Sequence, residues 1–377
     1  MVSQLAAQIE ESAAWVAQNR SVDSLRDRLA SGGCQIYGAG GYGQQVARAM
    51  RAQGIAVHAV IDRSAQPGRS IEGVPVVAKD AVLPADAAGQ VAVVAINNFQ
   101  TPVHDVVAWT GSLFADTVYV PELPDLIDPA LGNYWQGARD LVVHHAEEIL
   151  RLHDRLADET SRQIFADLVT FRQRAAPQFH PAVDRDNQYF ARDLLLAKDE
   201  LHVIDCGAWP GDMIGSAQAA GQRIGHWYAF EPDPKNFADL VKVARDAGLA
   251  GASLFPCGVG GRTGMVSFAA GSADASRAVD DATVGATSVP IVRIDDVIEA
   301  RRIDMIKLDI EGFEALALDG MAATLERHHP RLCMAIYHKP ADLWELPLRI
   351  ADAFPEARLA IRQHGYNGYD TVLYADL

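Results

Sequence analysis

Short apolar runs alternate with amphipathic stretches twice along the chain, and a long segment without strand patterning separates the two series. Apolar runs bounded by turn residues predict buried strands, whereas apolar positions three and four apart predict helices. Their alternation predicts parallel sheets covered by crossover helices. We therefore expect an α/β protein with two Rossmann-like domains, at residues 1–124 and 201–377, joined by a helical connector at 125–200.

The first series opens with a predicted helix over residues 4–30. Strands are then predicted at Cys34–Tyr37, Ala56–Ile61, Val91–Ile96 and Thr117–Val120, with a helix at Gln44–Gln53. In the connector, helical spacing covers Leu141–Leu156 and Ser161–Arg174, and a short helix is predicted at Tyr189–Leu196. A connector of this length is too long for a passive linker in a compact chain, so we expect it to pack against a domain.

Seven strands are predicted in the second series. They are His202–Ile204, His226–Phe230, Ser253–Pro256, Met305–Asp309, Leu332–Tyr337, Arg358–Arg362 and Thr371–Tyr374. No helical pattern separates the last two, which predicts a mixed sheet that ends in an antiparallel hairpin. A side hairpin of Met265–Phe268 with Val289–Ile294 is also predicted. It encloses residues 269–288, a predicted mobile loop because few large apolar residues anchor it.

Composition and charge exclude several classes of protein. The 377 residues are 49% hydrophobic, and 33 basic against 49 acidic residues give a net charge of −16, which repels nucleic acids and anionic membranes. No apolar run is long enough to span a bilayer, and the first residues do not resemble a signal peptide. The four cysteines are widely spaced and fit buried, reduced thiols. We expect a cytoplasmic protein without membrane insertion or a nucleic-acid partner.

A glycine-rich loop follows the first predicted strand. Gly38, Gly40 and Gly43 fit the spacing G-x-G-x-x-G between a strand and a helix. Such glycines let backbone N–H groups approach a pyrophosphate at the helix N-terminus. Asp62 ends the second strand, where it can accept a hydrogen bond from a ribose hydroxyl. The alternative is a vestigial Rossmann fold in which the glycines only permit close packing.

A different loop follows the first strand of the second series. Asp205 ends the strand, and Gly207, Ala208 and Gly211 shape a turn that suits a nucleoside cofactor with an amino-acid moiety. Glu231 ends the next strand, where it can accept both ribose hydroxyls, and Pro232 stops that strand. Together with the seven strands, the two carboxylates indicate a class I S-adenosylmethionine fold, the alternative being two structural loop carboxylates.

Chemistry-bearing residues also follow the fourth and fifth strands. Lys307 and Asp309 are predicted to project at the carboxyl end of the sheet, where open α/β sheets bind ligands. Asp309 and Glu311 are candidates for a general base, a hydroxyl acceptor or a metal ligand, and Lys307 is either catalytic or neutralises Asp309. His338 suits proton abstraction. Glu314 fits a carboxylate that stabilises a helix start.

Many of these residues belong to motifs that resemble those of a known family. From about Leu156 to the C-terminus the chain resembles FkbM-family methyltransferases. The matching motifs are Ala157–Ser161, Gln188–Phe190, the Asp205 loop, Phe230–Pro234, Lys307–Gly312, Tyr337–Pro340, Asp342–Trp344 and Thr371–Ala375. The resemblance implies that Asp205, Gly207 and Glu231 hold S-adenosylmethionine and that Asp309, Glu311 and His338 face the acceptor. It also implies that Tyr189 and Phe190 form part of a lid or acceptor wall.

A second, less specific resemblance concerns the first domain. Asp62–Ser64 followed by Gly73–Val76 is similar to the nucleotide-sugar-binding N-terminal domains of sialic-acid O-acetyltransferases. This resemblance implies a sugar nucleotide rather than a dinucleotide.

The sequence thus predicts an S-adenosylmethionine-dependent O-methyltransferase. Its acceptor is expected to be a hydroxyl of a sugar, glycan or secondary metabolite, with a sugar nucleotide among the candidates, and the first domain would bind or position it. Mg²⁺ held by Asp309, Glu311 and His338 is a further candidate cofactor, and a homo-oligomer is left open. The alternatives are an NAD(P)-dependent oxidoreductase that uses the Gly38 loop and a non-catalytic cofactor-binding scaffold.

Overall fold

The computed structural model describes residues 2–249, 251–269, 278–279 and 286–377. By its internal contacts the chain divides into two units. The first comprises residues 1–154, 162–183 and 365–369, and the second comprises residues 155–161, 184–364 and 370–377. The predicted connector is thus shared between the units, and the predicted boundaries at residues 124 and 200 stay a prediction.

The first unit is built on a six-stranded sheet. Its strands are β1 (Cys34–Tyr37), β2 (Val57–Ile61), β3 (Ser70–Ile71), β4 (Val74–Val77), β5 (Val91–Val94) and β6 (Asp116–Tyr119). They lie in the order β3-β4-β2-β1-β5-β6, and every pairing is parallel except that of β3 with β4. The four predicted strands are therefore confirmed, and the short β3–β4 hairpin was not predicted.

Helices cover this sheet and continue into the connector region. They are α1 (Val2–Asn19), α2 (Val22–Gly32), α3 (Gly41–Ala52), α4 (Pro84–Ala87), α5 (His104–Leu113), α6 (Leu123–Leu126), α7 (Leu141–His144), α8 (Ala146–Arg155) and α9 (Glu159–Arg174). The helix predicted over residues 4–30 is two helices. The break has a local cause, because Ser21 caps the N-terminus of α2 through Ser24 N–H and Arg20 forms ion pairs with Asp116 and Glu122.

Residues 365–369 belong to the first unit although they lie far along the chain. Asn367 Nδ2 donates hydrogen bonds to the carbonyls of Asn98 (2.7 Å) and Thr101 (2.9 Å). Its Oδ1 accepts a hydrogen bond from the Tyr119 hydroxyl at 2.7 Å. Every polar atom of this buried amide is thus engaged within the unit, as burial requires.

The second unit contains a seven-stranded mixed sheet, as predicted. Its strands are β7 (Leu201–Cys206), β8 (Ile224–Phe230), β9 (Ala252–Phe255), β14 (Met305–Leu308), β15 (Arg331–Ala335), β16 (Arg358–Gln363) and β17 (Thr371–Asp376). They lie in the order β16-β17-β15-β14-β7-β8-β9. β17 runs antiparallel to β15 and β16, which confirms the predicted terminal hairpin.

The remaining elements of this unit are helices and a small sheet. The helices are α10 (Asp212–Ala219), α11 (Pro234–Asp246), α12 (Ile294–Val297), α13 (Glu314–Gly320), α14 (Ala322–His328) and α15 (Asp342–Ala353). The small sheet contains β10 (Gly258–Val259), β11 (Gly264–Ala269), β12 (Ala278–Val279) and β13 (Ala286–Val292). β11 pairs antiparallel with β13, so the predicted side hairpin is confirmed. Most of the predicted 269–288 loop lies outside the described residues.

One predicted helix is wrong. Residues 189–196 do not form an α-helix, because Tyr189 has a left-handed backbone (φ 66°). L-residues with side chains cannot continue a right-handed helix from that conformation. Two single 3₁₀ turns, Arg185–Asn187 and Arg192–Leu194, flank this position instead.

The part of the chain that the structure describes contains no helix long and apolar enough to cross a membrane.

The glycines of the first loop serve different purposes, and this difference generates a stability prediction. A Cβ on Gly43 would lie 1.9 Å from the Gly38 carbonyl oxygen, whereas a Cβ on Gly41 would meet no atom within 4 Å. We expect Gly43→Ala to destabilise the first unit by about 1–3 kcal/mol through overpacking. Gly41→Ala, at the helix start, should be neutral or slightly stabilising. Calorimetric melting of both variants checks this, and equal midpoints would contradict it.

Candidate active site

Four neighbouring parallel strands end at one edge of the large sheet, and each end carries an ionisable residue. Asp205 lies in β7, Glu231 follows β8, Asp309 follows β14, and His338 lies three residues beyond β15. The sheet order places these strands side by side. The carboxyl edge of such a sheet is where α/β proteins bind ligands. The structure therefore brings these four predicted site residues to one edge.

Lys307 is buried beneath the loop after β7. The register of β14 with β7 sets Lys307 beside Asp205, and Lys307 Nζ lies 3.2 Å from Asp205 Oδ1. Nζ also donates a hydrogen bond to the Gly207 carbonyl and lies 5.3 Å from the centre of the Tyr189 ring. Burial alone would lower the pKa of Lys307, but the carboxylates of Asp205, Asp212 and Asp309 outweigh it and raise this pKa. The lysine is a fixed buried cation, and its predicted catalytic role stays a prediction.

Asp205 is fully enclosed by protein groups. Its Oδ1 forms the ion pair with Lys307, and its Oδ2 accepts a hydrogen bond from Trp227 Nε1 at 3.1 Å. The side chain has no exposed surface. Asp205 thus orients the base of the loop, and its predicted direct contact with a cofactor stays a prediction.

The glycine loop is shaped by close backbone contacts. Gly207 has a left-handed backbone (φ 77°), and a Cβ there would lie 1.9 Å from the Asp309 carbonyl oxygen. The N–H groups of Gly207 and Ala208 both donate to the Phe230 carbonyl, at 3.0 and 2.9 Å. Gly211 is also left-handed (φ 95°) and precedes α10. These residues shape the turn after β7, and the N–H groups of Gly207 and Ala208 are already engaged, so their predicted contact with a cofactor stays a prediction.

Glu231 presents a buried carboxylate at the end of β8. Its Oε2 accepts a hydrogen bond from Trp209 N–H and its Oε1 accepts one from Asp233 N–H, both at 2.8 Å. Burial raises the pKa of Glu231 against the effect of these two bonds. Each carboxylate oxygen can accept a second hydrogen bond. The side chain is therefore held in place with acceptor capacity to spare, and Pro232 directs the chain away from it.

Asp309 lies between a hydroxyl donor and an imidazole. The Tyr189 hydroxyl donates to Oδ2 at 2.5 Å, and His338 Nε2 lies 3.3 Å from Oδ1. Burial alone would raise the pKa of Asp309, but His338, Lys307 and Tyr189 lower it to about 2. This carboxylate is ionised at neutral pH. The acceptor-facing role that the family resemblance implies for it stays a prediction.

Both nitrogens of the His338 ring face carboxylates. Nδ1 lies 2.8 Å from Glu314 Oε1, and Nε2 faces Asp309 and, at 3.9 Å, Glu311 Oε2. Burial opposes charging of the ring, but Glu314 and Asp309 outweigh it and raise the pKa of His338 well above its usual value. The geometry favours the imidazolium. A base role for His338 would require the neutral ring.

The two aromatic residues predicted as an acceptor wall are both buried. Tyr189 contacts Asp309 directly through its hydroxyl, and its pKa is raised by burial and by the Asp309 charge, which keeps the phenol protonated. Phe190 belongs to the same apolar core as Leu201 and Val203. Tyr189 therefore lies beside Asp309, and the predicted wall role of both aromatic residues stays a prediction.

Sequence reasoning missed several ionisable residues at this edge. From the sequence, Glu314 was interpreted as a carboxylate that stabilises a helix start. Its position three residues after Glu311 could have marked it as a site residue. Burial, followed by the Glu314 charge, raises the pKa of Asp342 to about 6. Burial, followed by the Asp309 charge, raises the pKa of Asp370 to about 7. Asp342 lies in a motif of the family resemblance and four residues after His338, but no role was predicted for it, whereas only the fold brings Asp370 near His338.

In the first unit, the predicted ribose acceptor contacts its own chain. Asp62 Oδ2 accepts a hydrogen bond from Ala39 N–H and Oδ1 accepts one from Ser64 N–H, both at 2.8 Å. These bonds lower the pKa of Asp62 against the effect of burial. Gly38 is left-handed (φ 118°), whereas a Cβ on Gly40 would meet no atom within 4 Å. Packing thus explains Gly38 and Gly43 but leaves the glycine at position 40 without a structural reason.

The Mg²⁺ site predicted at Asp309, Glu311 and His338 is not supported, because the described group with atoms close enough to share a metal contains Glu314 in place of Glu311. Asp309, Glu314 and His338 each offer one atom within 4.8 Å of the others. A histidine binds a metal through an unprotonated ring nitrogen. Here both nitrogens face carboxylates, which favour the doubly protonated ring, so we derive no step through a metal.

Comparison with solved structures identifies the fold. A solved structure described as a methyltransferase FkbM from Methylobacillus flagellatus KT aligns over 100% of both chains with a TM-score of 0.78 and 22% identity. An rRNA methylase from Streptococcus thermophilus shows 14% identity and a TM-score of 0.31, over 48% of this chain and 87% of its own. Fibrillarin from Aeropyrum pernix shows 16% identity and a TM-score of 0.29, over 50% of this chain and 76% of its own. The fold is that of an FkbM methyltransferase.

Family models match two parts of the chain. Residues 205–367 match the methyltransferase FkbM domain, and residues 35–101 match the PglD N-terminal domain. Both predicted resemblances are therefore confirmed over these residues. No curated protein matches the chain significantly.

The buried Lys307–Asp205 pair generates a second stability prediction. We expect Lys307→Met to destabilise the protein by about 3–5 kcal/mol, because the Asp205 carboxylate would remain buried without its cation. Adding Asp205→Asn should recover a substantial part of this loss, because it removes the uncompensated charge. The exposed Lys242→Met is the matched control and should change stability by less than about 0.5 kcal/mol. Urea unfolding measures all three variants, and a wild-type midpoint for Lys307→Met would contradict the account.

Proposed function

We propose that the second unit is an S-adenosylmethionine-dependent O-methyltransferase that acts on a hydroxyl of a sugar, glycan or secondary metabolite. The observation that carries the proposal is the geometry of the carboxyl edge within an FkbM domain. There a buried ribose-type acceptor, Glu231, and an ionised carboxylate, Asp309, end strands of the same sheet.

The cofactor side of the edge fits a nucleoside. Glu231 is held by two backbone N–H groups and keeps one acceptor site on each oxygen, which suits two ribose hydroxyls. The turn at Gly207 and Gly211 keeps side chains away from the same edge. When bound, S-adenosylmethionine supplies a methyl group on a positively charged sulfur, which is electrophilic without a metal.

On the acceptor side, Asp309 is the base that the geometry favours. It is ionised at neutral pH, and its orientation is set by Tyr189 and His338. A hydroxyl becomes strongly acidic as its oxygen gains a methyl group, so a weak carboxylate base suffices to take its proton. Most of the rate would then come from alignment of the hydroxyl with the methyl group.

The charge of the site supports a neutral or cationic acceptor group at the reacting position. Asp309, Glu311 and Glu314 supply three carboxyl groups, and His338 and the buried Lys307 are the cations that act on Asp309. An anionic group placed among them would be repelled. The phosphates of a sugar-nucleotide acceptor would therefore have to bind away from this edge.

We further propose that the first unit binds a sugar nucleotide. The match to the PglD N-terminal domain supports this, and so does the open space beside Gly40 at the start of α3. An oxidoreductase that uses this loop would need Asp62 to receive ribose hydroxyls. Asp62 accepts hydrogen bonds from Ala39 and Ser64, as Glu231 does from two backbone N–H groups, so the preference for a sugar nucleotide rests on the PglD match.

The cytoplasm remains the proposed location. All four cysteines are buried free thiols, and thiols persist in reducing compartments.

Cofactor binding gives the first functional prediction. We expect Glu231→Ala to weaken binding of S-adenosylhomocysteine at least about tenfold, because two ribose hydroxyls would lose a charged acceptor. Glu326→Ala, at an exposed glutamate in α14, should bind like the wild type. Titration calorimetry measures both variants, and wild-type affinity in Glu231→Ala would place the cofactor elsewhere.

Binding by the first unit is tested separately. We expect UDP-N-acetylglucosamine to bind the full chain and Gly40→Val to weaken that binding at least about tenfold, because the new side chain fills the space beside the loop. The Glu231→Ala variant should bind this nucleotide normally. Calorimetry again provides the readout. A wild-type response in Gly40→Val would remove this loop from the proposal.

A further inference from the structure

Glu314 is a buried carboxylate whose burial demands an explanation. It is the first residue of α13 and has no exposed surface. Its Oε1 accepts hydrogen bonds from His338 Nδ1 at 2.8 Å and from Ile310 N–H at 2.9 Å. A carboxylate removed from water is costly unless a charged partner and hydrogen bonds compensate it. A stabilising effect of the helix dipole would not require burial, whereas a buried cation at His338 does explain it.

The opposite side of the His338 ring faces the reacting edge. Nε2 lies 3.3 Å from Asp309 Oδ1, and the ring side chain is only 1% exposed. The ring therefore joins a fully buried carboxylate to one that is 19% exposed. A proton on each nitrogen allows the ring to donate to both sides at once.

Several segments near the ring contribute titratable groups. The carboxyl groups near the ring or acting on its charge are those of Asp309 and Glu311 after β14, Glu314 in α13, Asp342 in α15 and Asp370, which immediately precedes β17. The ring's own segment adds Tyr337 and Lys339. Asp342 and Asp370 have pKa values raised to about 6 and about 7, so their charge changes near neutral pH. Glu314 and Asp309 are the carboxylates nearest the two nitrogens, and they keep the ring charged.

We propose that Glu314 is a positioning residue that holds the His338 imidazolium with its Nε2–H directed at Asp309. This inference rests on the proposed O-methyl transfer. In that step the acceptor oxygen gains the methyl group, the sulfur–methyl bond breaks, and the hydroxyl proton passes to Asp309 and then to water. His338 keeps both protons throughout. Glu314 thereby fixes the orientation and charge of the base without touching the acceptor.

The test is nuclear magnetic resonance of the full chain labelled with ¹⁵N-histidine. The protein has 12 histidines, and His338→Gln identifies the His338 signals by their loss. In the wild type we expect both ring nitrogens to be protonated at pH 8. In Glu314→Gln the loss of a contacting charge should lower the titration midpoint of the ring by about 1–3 pH units. This readout does not depend on activity or on an acceptor.

Matched variants separate the outcomes. Glu326→Gln removes an exposed glutamate from α14 and should leave the His338 titration unchanged. Glu314→Gln should still bind S-adenosylhomocysteine within about threefold of the wild type, because Glu231 lies on another strand end, and this binding also reports that the variant folds. If Glu314→Gln does not fold, the wild-type spectrum at pH 8 still tests the charge state.

Two results would overturn the inference. One is a neutral His338 ring in the wild type at pH 8, and the other is an unchanged titration midpoint in a folded Glu314→Gln variant. Failure of the proposed function looks different: the wild type would not bind S-adenosylhomocysteine, whatever the state of His338.

Discussion

The ion pair between Lys307 and Asp205 is the constraint on which the candidate site at the carboxyl edge of the large sheet depends. Both side chains are buried, and an ammonium group in such surroundings must be paired. The parallel register of β14 with β7 supplies the partner directly. Because Lys307 also binds the Gly207 carbonyl, it fixes the turn that follows β7. The same turn packs against the Asp309 carbonyl, where even a Cβ on Gly207 would not fit.

A second buried cation organises the other half of the edge. His338 lies between Glu314 and Asp309, as Lys307 lies beside Asp205. In the proposed function, the two cations divide the carboxylates into a cofactor side and an acceptor side. Asp309 belongs to both, since Lys307 and His338 each lower its pKa. In the proposed function, Asp309 is a base that stays ionised and oriented between two cations, so that it accepts a proton without a rearrangement of the site.

Much of this architecture could be predicted from the sequence. The seven strands, their hairpin and the acidic strand ends were recognisable because buried parallel strands are continuous apolar runs and because their carboxyl ends converge. The β3–β4 hairpin was not, because its strands are too short to show periodicity. The helix at residues 189–196 was predicted wrongly because a tertiary contact, the Tyr189 hydroxyl on Asp309, accompanies a left-handed backbone that propensity does not reveal. The partners of Glu314 and Asp62 also depend on the fold, since each carboxylate contacts a segment distant in sequence.

The most direct test of the central claim is calorimetric titration of the wild-type chain with S-adenosylhomocysteine and, separately, with NADH. The account predicts micromolar binding of S-adenosylhomocysteine with one site per chain and no binding of NADH under the same conditions. Binding of NADH without binding of S-adenosylhomocysteine would contradict it, because the Gly38 loop would then be the working cofactor site.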